Sequence, residues 1–254
     1  EADMMGTAAG LAATGKIPFA STFAHFAAGR AFDQIRNSIA YPKLNVKICP
    51  THAGVSLGED GGSHQSIEDI ALMRSLPGMV VLSPADAVET EQMIFAVAEY
   101  KGPVYVRLGR LNVPVIFDET YEFEIGKGTV MIEGNDVAII ATGLLVYEAM
   151  KASEALAEKG IKVRVINMST IKPLDEKIVL EAAKECKFVV TCEEHSIIGG
   201  LGGAVAEYLS GAHPTKVIRH GIKDVFGQSG EGDQMLDEYK LRAKDIVEVV
   251  LQNM

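Results

Sequence analysis

The sequence predicts an α/β protein with two open, mainly parallel sheets flanked by helices. Short apolar runs alternate with helix-length segments along the whole chain, which is the order of elements in βαβ units. This alternation stops between residues 112 and 136, where prolines, glycines and acidic residues interrupt any helical pattern. Because 48% of the 254 residues are apolar, the chain can fill two ordinary cores. We therefore expect two α/β units.

The first predicted element is a helix over residues 2–14, directly after Glu1. An open parallel sheet normally has strands before such a helix, so we expect the first unit to have further residues upstream of Glu1. Eight apolar runs predict strands at residues 18–20, 46–49, 79–82, 104–108, 137–141, 163–166, 188–191 and 217–218. Helices are predicted between these strands, for example at residues 85–100 and 144–159.

The boundary between the two units is predicted near residues 118–122, inside the stretch that interrupts the alternation. The first unit then comprises residues 1–118 and the second residues 119–254. We expect residues 123–132 to form a short strand or hairpin that enters the second unit.

Composition excludes several classes of partner. The net charge of -10 argues against nucleic acid, since affinity for a phosphate backbone depends on clustered Lys and Arg. No apolar run approaches 18 residues, so no membrane span is predicted. The three cysteines, Cys49, Cys186 and Cys192, form neither a CxxC pair nor an even framework. They indicate buried thiols in a reducing compartment, and we expect a cytoplasmic protein.

A polar, glycine-rich stretch over residues 51–65 is the strongest functional signal, because it follows a predicted strand and carries His52, Asp60 and His64. In an open parallel sheet, ligands bind at the carboxyl ends of the strands. The alternative interpretation is an ordinary turn with satisfied histidines. The three side chains could also ligate a metal, but neither helical spacing nor a thiolate pair supports that, so no metal site is predicted here.

Other candidates stand at corresponding strand ends. Phe23 and Phe26 follow the first strand and could stack on a flat ring, although their spacing also suits ordinary core filling. Arg110 follows the strand at residues 104–108 and could bind a phosphate or carboxylate with its guanidinium fork. The glycines at residues 199–203 open a helix after an apolar pair, which favours close packing or helix capping over phosphate binding.

Taken together, these motifs resemble the transketolase family. The resemblance covers the whole chain in order, as a pyrimidine-binding domain followed by the family's C-terminal domain, and it implies the folds of those two domains. The segments that carry it include Ser21-Thr22-Phe23-x-x-Phe26, Thr51-His52, Gly58-Glu59-Asp60-Gly61-x-x-His64-Gln65, Arg74-Ser75-Leu76-Pro77, Arg110 and Gly199-Gly200-Leu201-Gly202-Gly203.

The resemblance implies thiamine diphosphate as the cofactor. Glu1 matches the glutamate that hydrogen-bonds the aminopyrimidine ring and assists removal of the thiazolium proton, and we expect burial to raise its pKa. Phe23 and Phe26 match the aromatic pocket that packs on the pyrimidine. The family's third pocket aromatic falls near Gly29, which has no side chain.

The same resemblance implies a sugar-binding role for the glycine-rich stretch. His52 and His64 match the histidines that hydrogen-bond the sugar and move protons during carbon–carbon cleavage, a task that imidazole suits near neutral pH. Asp60 matches the aspartate that recognises a donor hydroxyl. Arg110 matches the arginine that holds the sugar phosphate.

One departure from the family predicts a partner. The GDG motif and following asparagine that hold the diphosphate and its Mg²⁺ or Ca²⁺ are absent. We therefore expect a split transketolase in which a separate N-terminal subunit anchors both groups, within a heterotetramer that contains a homodimeric contact. The predicted reaction transfers a two-carbon ketol unit from a ketose phosphate to an aldose phosphate, as in the pentose phosphate pathway.

Three alternatives stay open from the sequence. The chain could be half of a 1-deoxyxylulose-5-phosphate synthase-like enzyme, which Ala53 and Gly54 favour, or a 2-oxo acid dehydrogenase beta subunit. His52 and Asp60 favour transketolase, because a pyruvate-type donor needs no hydroxyl-reading groups. The third alternative is a catalytically silent scaffold, since fold does not imply function.

Overall fold

The strands form two five-stranded sheets in a computed structural model that describes residues 1–254. The strands are β1 Phe19–Ala20, β2 Lys47–Ile48, β3 Val80–Leu82, β4 Val104–Val106, β5 Thr129–Ile132, β6 Val137–Ala141, β7 Val163–Asn167, β8 Thr170–Lys172, β9 Val189–Ser196 and β10 Val217–Ile222. The helices are α1 Ala2–Ala13, α2 Asp69–Arg74, α3 Ala87–Glu99, α4 Leu145–Ala157, α5 Glu176–Glu185, α6 Leu201–Ala212, α7 Gly232–Glu238 and α8 Ala243–Leu251. No helix is long and apolar enough to span a bilayer.

The first sheet has the strand order β1-β2-β4-β3-β8 and the second has the order β10-β9-β6-β7-β5. All neighbours run parallel except β8 against β3 and β5 against β7. Strand β6 reads Val-Ala-Ile-Ile-Ala and is buried throughout, as expected for a central parallel strand with both faces covered. The predicted α/β class with two mainly parallel sheets is confirmed.

The start of α3 is fixed by a short polar side chain. Asp86 caps α3 by accepting a hydrogen bond from the Glu89 amide at 2.8 Å. Its second oxygen accepts from the amides of Ile116 and Phe117, so the chain leaving β4 is tied to the start of α3. This segment, which contains the predicted boundary at residue 118, therefore packs against the first unit.

One strand crosses between the two halves of the chain. β8 follows β7 of the second sheet but pairs antiparallel with β3 of the first. Lys172 at its end donates to the carbonyl oxygens of Arg74 and Leu76, at 2.8 and 2.6 Å. The sequence does not predict β8, because only one of the three residues of Thr170–Lys172 is apolar and the strand depends on this long-range pairing.

The remaining predicted elements agree closely with the structure. Each of the eight apolar runs overlaps a strand, and the helix expected at residues 85–100 is α3. Strand β5 falls within the predicted strand or hairpin at residues 123–132. All three cysteines are buried and free, as their apolar surroundings predict.

Candidate active site

The carboxyl edge of the first sheet brings the predicted site residues together. β1, β2 and β4 are parallel neighbours, so the segments that follow them emerge at the same edge. Single backbone bridges extend this pairing from Phe23 to Thr51 and from Ala53 to Ser66. We call residues 51–66 the catalytic loop, and it contains a short 3₁₀ turn, Val55–Leu57.

Four rings form one cluster at this edge. Phe23 stacks on His52, with ring centroids 4.1 Å apart and planes inclined by 12°. His64 stands edge-on to Phe26 at 5.1 Å and to Phe23 at 6.3 Å. The sequence places these residues up to 41 positions apart, and the structure assembles them around one half-buried surface.

His52 adopts a backbone conformation that is rare for a residue with a side chain, with φ of 62°. Such conformations concentrate at functional sites, where the surrounding structure enforces them. The hydroxyl of Thr51 lies 2.7 Å from its Nδ1 atom. Burial lowers the pKa of His52, the Arg110 guanidinium lowers it further, and Asp60 opposes both. The ring is therefore neutral near pH 7 and able to accept a proton.

Asp60 and Arg110 flank His52 from the exposed side. Both are solvent-exposed, and both charges act on the His52 ring. Arg110 donates from Nη1 to the Leu57 carbonyl oxygen at 2.5 Å, which attaches it to the catalytic loop. His64 is oriented by the Ser63 hydroxyl, 2.9 Å from its Nδ1 atom. Acidic, cationic and imidazole groups thus lie together at the carboxyl edge of the first sheet.

Glu1 lies beside the aromatic pair, but its environment differs from the expected one. Arg30 donates from Nη1 to Glu1 Oε2 at 2.8 Å, and its guanidinium lies 4.4 Å from the centroid of the Phe26 ring. Thr22 donates to the other carboxylate oxygen at 3.4 Å. The hydrogen bond from Arg30 lowers the pKa of Glu1, so the predicted rise through burial is not what this structure shows.

Arg30 contacts both Glu1 and Phe26, although the sequence does not predict it as part of this cluster. It ends the π-helical segment Phe26–Arg30, which places its side chain over the ring at the start of that segment. The available signal is the four-residue spacing between Phe26 and Arg30 on a helical turn. The position of the missing third aromatic is also filled: a Cβ atom at Gly29 would lie 3.8 Å from the His25 ring. That ring stands edge-on to Phe26 at 5.4 Å.

The two phenyl rings supply the type of surface on which a flat heteroaromatic ring packs. Phe23 and Phe26 have nearly parallel planes, inclined by 4°, and centroids 6.0 Å apart. A carboxylate and a guanidinium next to these faces supply hydrogen-bonding partners for ring nitrogens. No three His, Cys, Asp or Glu side chains gather into a set that could ligate a metal ion.

The second glycine-rich segment, residues 199–203, has a structural role. Glu193 at the end of β9 accepts hydrogen bonds from the amides of Leu201 and Gly202, at 2.6 and 2.8 Å, and so caps α6. Burial raises the pKa of Glu193 to about 7. His195 is fully buried next to it. The predicted packing or capping role of this segment is confirmed.

Comparisons with known proteins agree with this geometry. Two domain families match the chain, "Transketolase, pyrimidine binding domain" over residues 1–115 and "Transketolase, C-terminal domain" over residues 126–246. A protein of Methanocaldococcus jannaschii described as a transketolase C-terminal section is 53% identical over 257 residues, covering 100% of this chain and 80% of that protein. A 6-deoxy-6-sulfo-D-fructose transketolase subunit of Clostridium is 44% identical, covering 97% of this chain and 77% of that protein.

A solved structure is similar over the whole chain. It is described as a split gene transketolase in the form of an inactive beta4 tetramer. The TM-score is 0.93 at 52% identity, and the match covers 99% of this chain and 81% of that one. This chain belongs to the transketolase family, and its two domains are the family's pyrimidine-binding domain and its C-terminal domain.

Proposed function

We propose that this chain works with a separate N-terminal subunit to transfer a two-carbon ketol unit from a ketose phosphate to an aldose phosphate. The observation that carries the proposal is the cluster of His52 and His64 on the Phe23 and Phe26 rings, with Glu1 beside it. A proton-transfer pair next to a surface for a flat ring is the arrangement that such chemistry requires.

Membership of the family implies dependence on thiamine diphosphate. When bound, thiamine diphosphate supplies a nucleophilic carbon and takes up the electrons of the cleaved carbon–carbon bond. In this chain Phe23 and Phe26 would pack against the pyrimidine ring, and Glu1 would accept a hydrogen bond from a protonated ring nitrogen. The parallel phenyl planes and the adjacent carboxylate support this assignment.

The remaining residues bind the sugar. His52 accepts and returns a hydroxyl proton, since its lowered pKa keeps the ring neutral near pH 7. His64 hydrogen-bonds the reacting oxygen. Asp60 accepts a hydrogen bond from a donor hydroxyl, and Arg110 binds the phosphate. The contact of both histidine rings with Phe23, and the action of the Asp60 and Arg110 charges on His52, support these roles.

The partner subunit holds the diphosphate and its Mg²⁺ or Ca²⁺. Residues 1–254 contain no motif for either group, and we assign both groups to an N-terminal subunit within a heterotetramer with two copies of each chain. The description of the 52%-identical relative as inactive when it contains one kind of subunit supports this dependence. Transketolase relatives at 53% and 44% identity do not favour the synthase-like alternative.

A transfer assay tests the proposal. Xylulose 5-phosphate and ribose 5-phosphate are supplied with thiamine diphosphate and Mg²⁺ to this chain alone and to the complex purified from its native source. We expect activity only in the complex. A complex that is inactive on sugar phosphates but decarboxylates pyruvate would establish the synthase-like or dehydrogenase alternative. A complex inactive on both would refute the proposed reaction.

A further inference from the structure

Hydrogen bonds and close packing attach the catalytic loop to residues of the second unit. Gln65 lies at the end of the loop and is buried. Its Nε2 atom is 3.0 Å from the Val55 carbonyl oxygen and 3.2 Å from that of Gly58, both within the loop. The same atom lies 2.9 Å from the carbonyl oxygen of Gln228. One amide thus joins both sides of the loop to the stretch between β10 and α7.

We call residues 227–232 the support segment. Three loop glycines lie so close to it that a methyl group on any of them would meet the segment. At Gly62 a Cβ atom would lie 2.5 Å from the Gly227 carbonyl oxygen, and at Gly58 it would lie 3.1 Å from that of Gly230. At Gly61 it would overlap the Ser229 hydroxyl. The loop glycines are therefore required for packing against the second unit, besides allowing the turn.

A second contact comes from the end of β9. Glu194 is buried and accepts a hydrogen bond from the Ser56 amide at 2.6 Å. A methyl group at Gly54, whose φ is 87°, would overlap the Glu194 carboxyl group. Arg107 donates to the Glu194 carbonyl oxygen at 2.9 Å and to Asp69 at 2.9 Å. These contacts hold the Glu194 carboxylate against the 3₁₀ turn of the loop.

We propose that the second unit is the template for the catalytic loop, with Glu194 and Gln65 as positioning residues that hold His52, Asp60 and His64 in place. The catalytic consequence rests on the proposed function, whereas the positioning itself does not. A displacement of about 1 Å at a reacting group can lower a rate roughly a hundredfold, so such a template contributes directly to turnover.

Hydrogen–deuterium exchange of the full chain tests the positioning without any reaction. The variants are Glu194→Ala and Gly227→Ala, because a methyl group at half-buried Gly227 would displace the end of the Gln65 side chain. The matched control is Glu89→Ala. Glu89 is equally buried and also links the units, through Asn167 at 2.8 Å and Tyr121 at 2.6 Å, without contacting the loop.

We expect loop amides to exchange at least about tenfold faster in Glu194→Ala and Gly227→Ala than in Glu89→Ala, since local opening depends on local contacts. Loop exchange equal to that of the control in both variants would overturn the proposal. Should Glu194→Ala fail to fold, Gly227→Ala decides alone.

Kinetics of the complex test the consequence. We expect Glu194→Ala to lower kcat roughly tenfold to a hundredfold. Glu194→Gln keeps an oxygen acceptor for the Ser56 amide and restores most of the rate, while Glu89→Ala leaves kcat near the wild-type value. If kcat falls equally in Glu194→Ala and Glu89→Ala, the loss comes from weaker contact between the two units in general. That result would refute a specific role of Glu194 in positioning the loop. An inactive wild-type complex would refute the proposed function, while the exchange result would stand.

Discussion

Two glycine-rich segments in this chain follow the carboxyl end of a parallel strand. They differ in whether their polar groups are hydrogen-bonded within the protein or exposed to solvent. In residues 199–203 the first amides of α6 are bound by the buried Glu193 carboxylate, so nothing remains for a ligand. In the catalytic loop, His52, Asp60 and His64 stay partly or fully exposed. Glycine content alone therefore does not identify a binding loop. The distinguishing feature is whether the protein satisfies the strand-end polar groups internally.

The sharpest test of this contrast is His64→Ala in the complex. We expect turnover to fall about a hundredfold or more, because the variant lacks the imidazole that we propose hydrogen-bonds the reacting oxygen. The unfolding midpoint of the chain should stay near the wild-type value, since His64 is half-exposed. Ser63→Ala is the control, as it removes only the hydroxyl that orients the ring. Unchanged turnover in His64→Ala would place the catalytic group elsewhere.

Gly200→Ala tests the capping segment. A methyl group there would overlap the Glu193 carboxylate and lie 2.7 Å from His195 Nδ1. We expect the free energy of unfolding, measured with urea, to fall by about 2–3 kcal/mol, as for other overpacked sites. Gly203→Ala, inside α6, meets only the ends of the flexible Arg74 and Glu207 side chains, at 3.3 and 3.5 Å, and should change stability much less. Equal losses in the two variants would contradict the close packing around Glu193.

Glu193→Gln tests the charge on the capping group through pH. Burial raises the pKa of Glu193 to about 7 from 4.5, so between these values the folded chain binds a proton that the unfolded chain does not. This group's stabilising contribution is therefore fully present below pH 4.5 and is lost as pH rises through about 7. Gln does not titrate, although it costs one hydrogen bond at every pH.

The stability of Glu193→Gln relative to wild type should therefore improve with pH across that window, by on the order of 2–3 kcal/mol. Urea unfolding at several pH values measures it. His195, whose pKa burial lowers to about 4, titrates in the opposite sense in both proteins and largely cancels in the difference. A difference that does not change with pH would show that Glu193 is ionised like an ordinary glutamate.

Arg30→Met tests the aromatic cluster beside the catalytic loop, and its expected effect is the smallest. The hydrogen bond from Arg30 lowers the pKa of Glu1, so its removal should raise that pKa. An NMR titration of the side-chain carboxyl carbon measures the change. Arg36→Met is the control, because Arg36 is bonded to Asn37. A Glu1 pKa that is the same in both variants would show that the ion pair does not form in solution.

The sequence predicts local features well and distant pairings poorly. Each apolar run that became a strand could be identified from its own residues, whereas β8 depends on pairing with β3. His52, Asp60 and His64 stand in one polar stretch, so their chemistry was visible, although their individual roles stay predictions. Arg30 lies 29 positions from its partner Glu1, and Glu194 lies 138 positions from Ser56. No local pattern connects such pairs.

The crossing of β8 into the first sheet has a consequence for how the molecule can be dissected. Cutting the chain between residues 118 and 170 would remove the neighbour of β3 and leave the buried row Val80–Leu82 as an open edge. Exposed apolar edges pair with other chains, so a fragment of that kind should aggregate. The two domains recognisable in sequence are thus joined through the pairing of β3 with β8. A chimera of two relatives should therefore take both domains from the same parent.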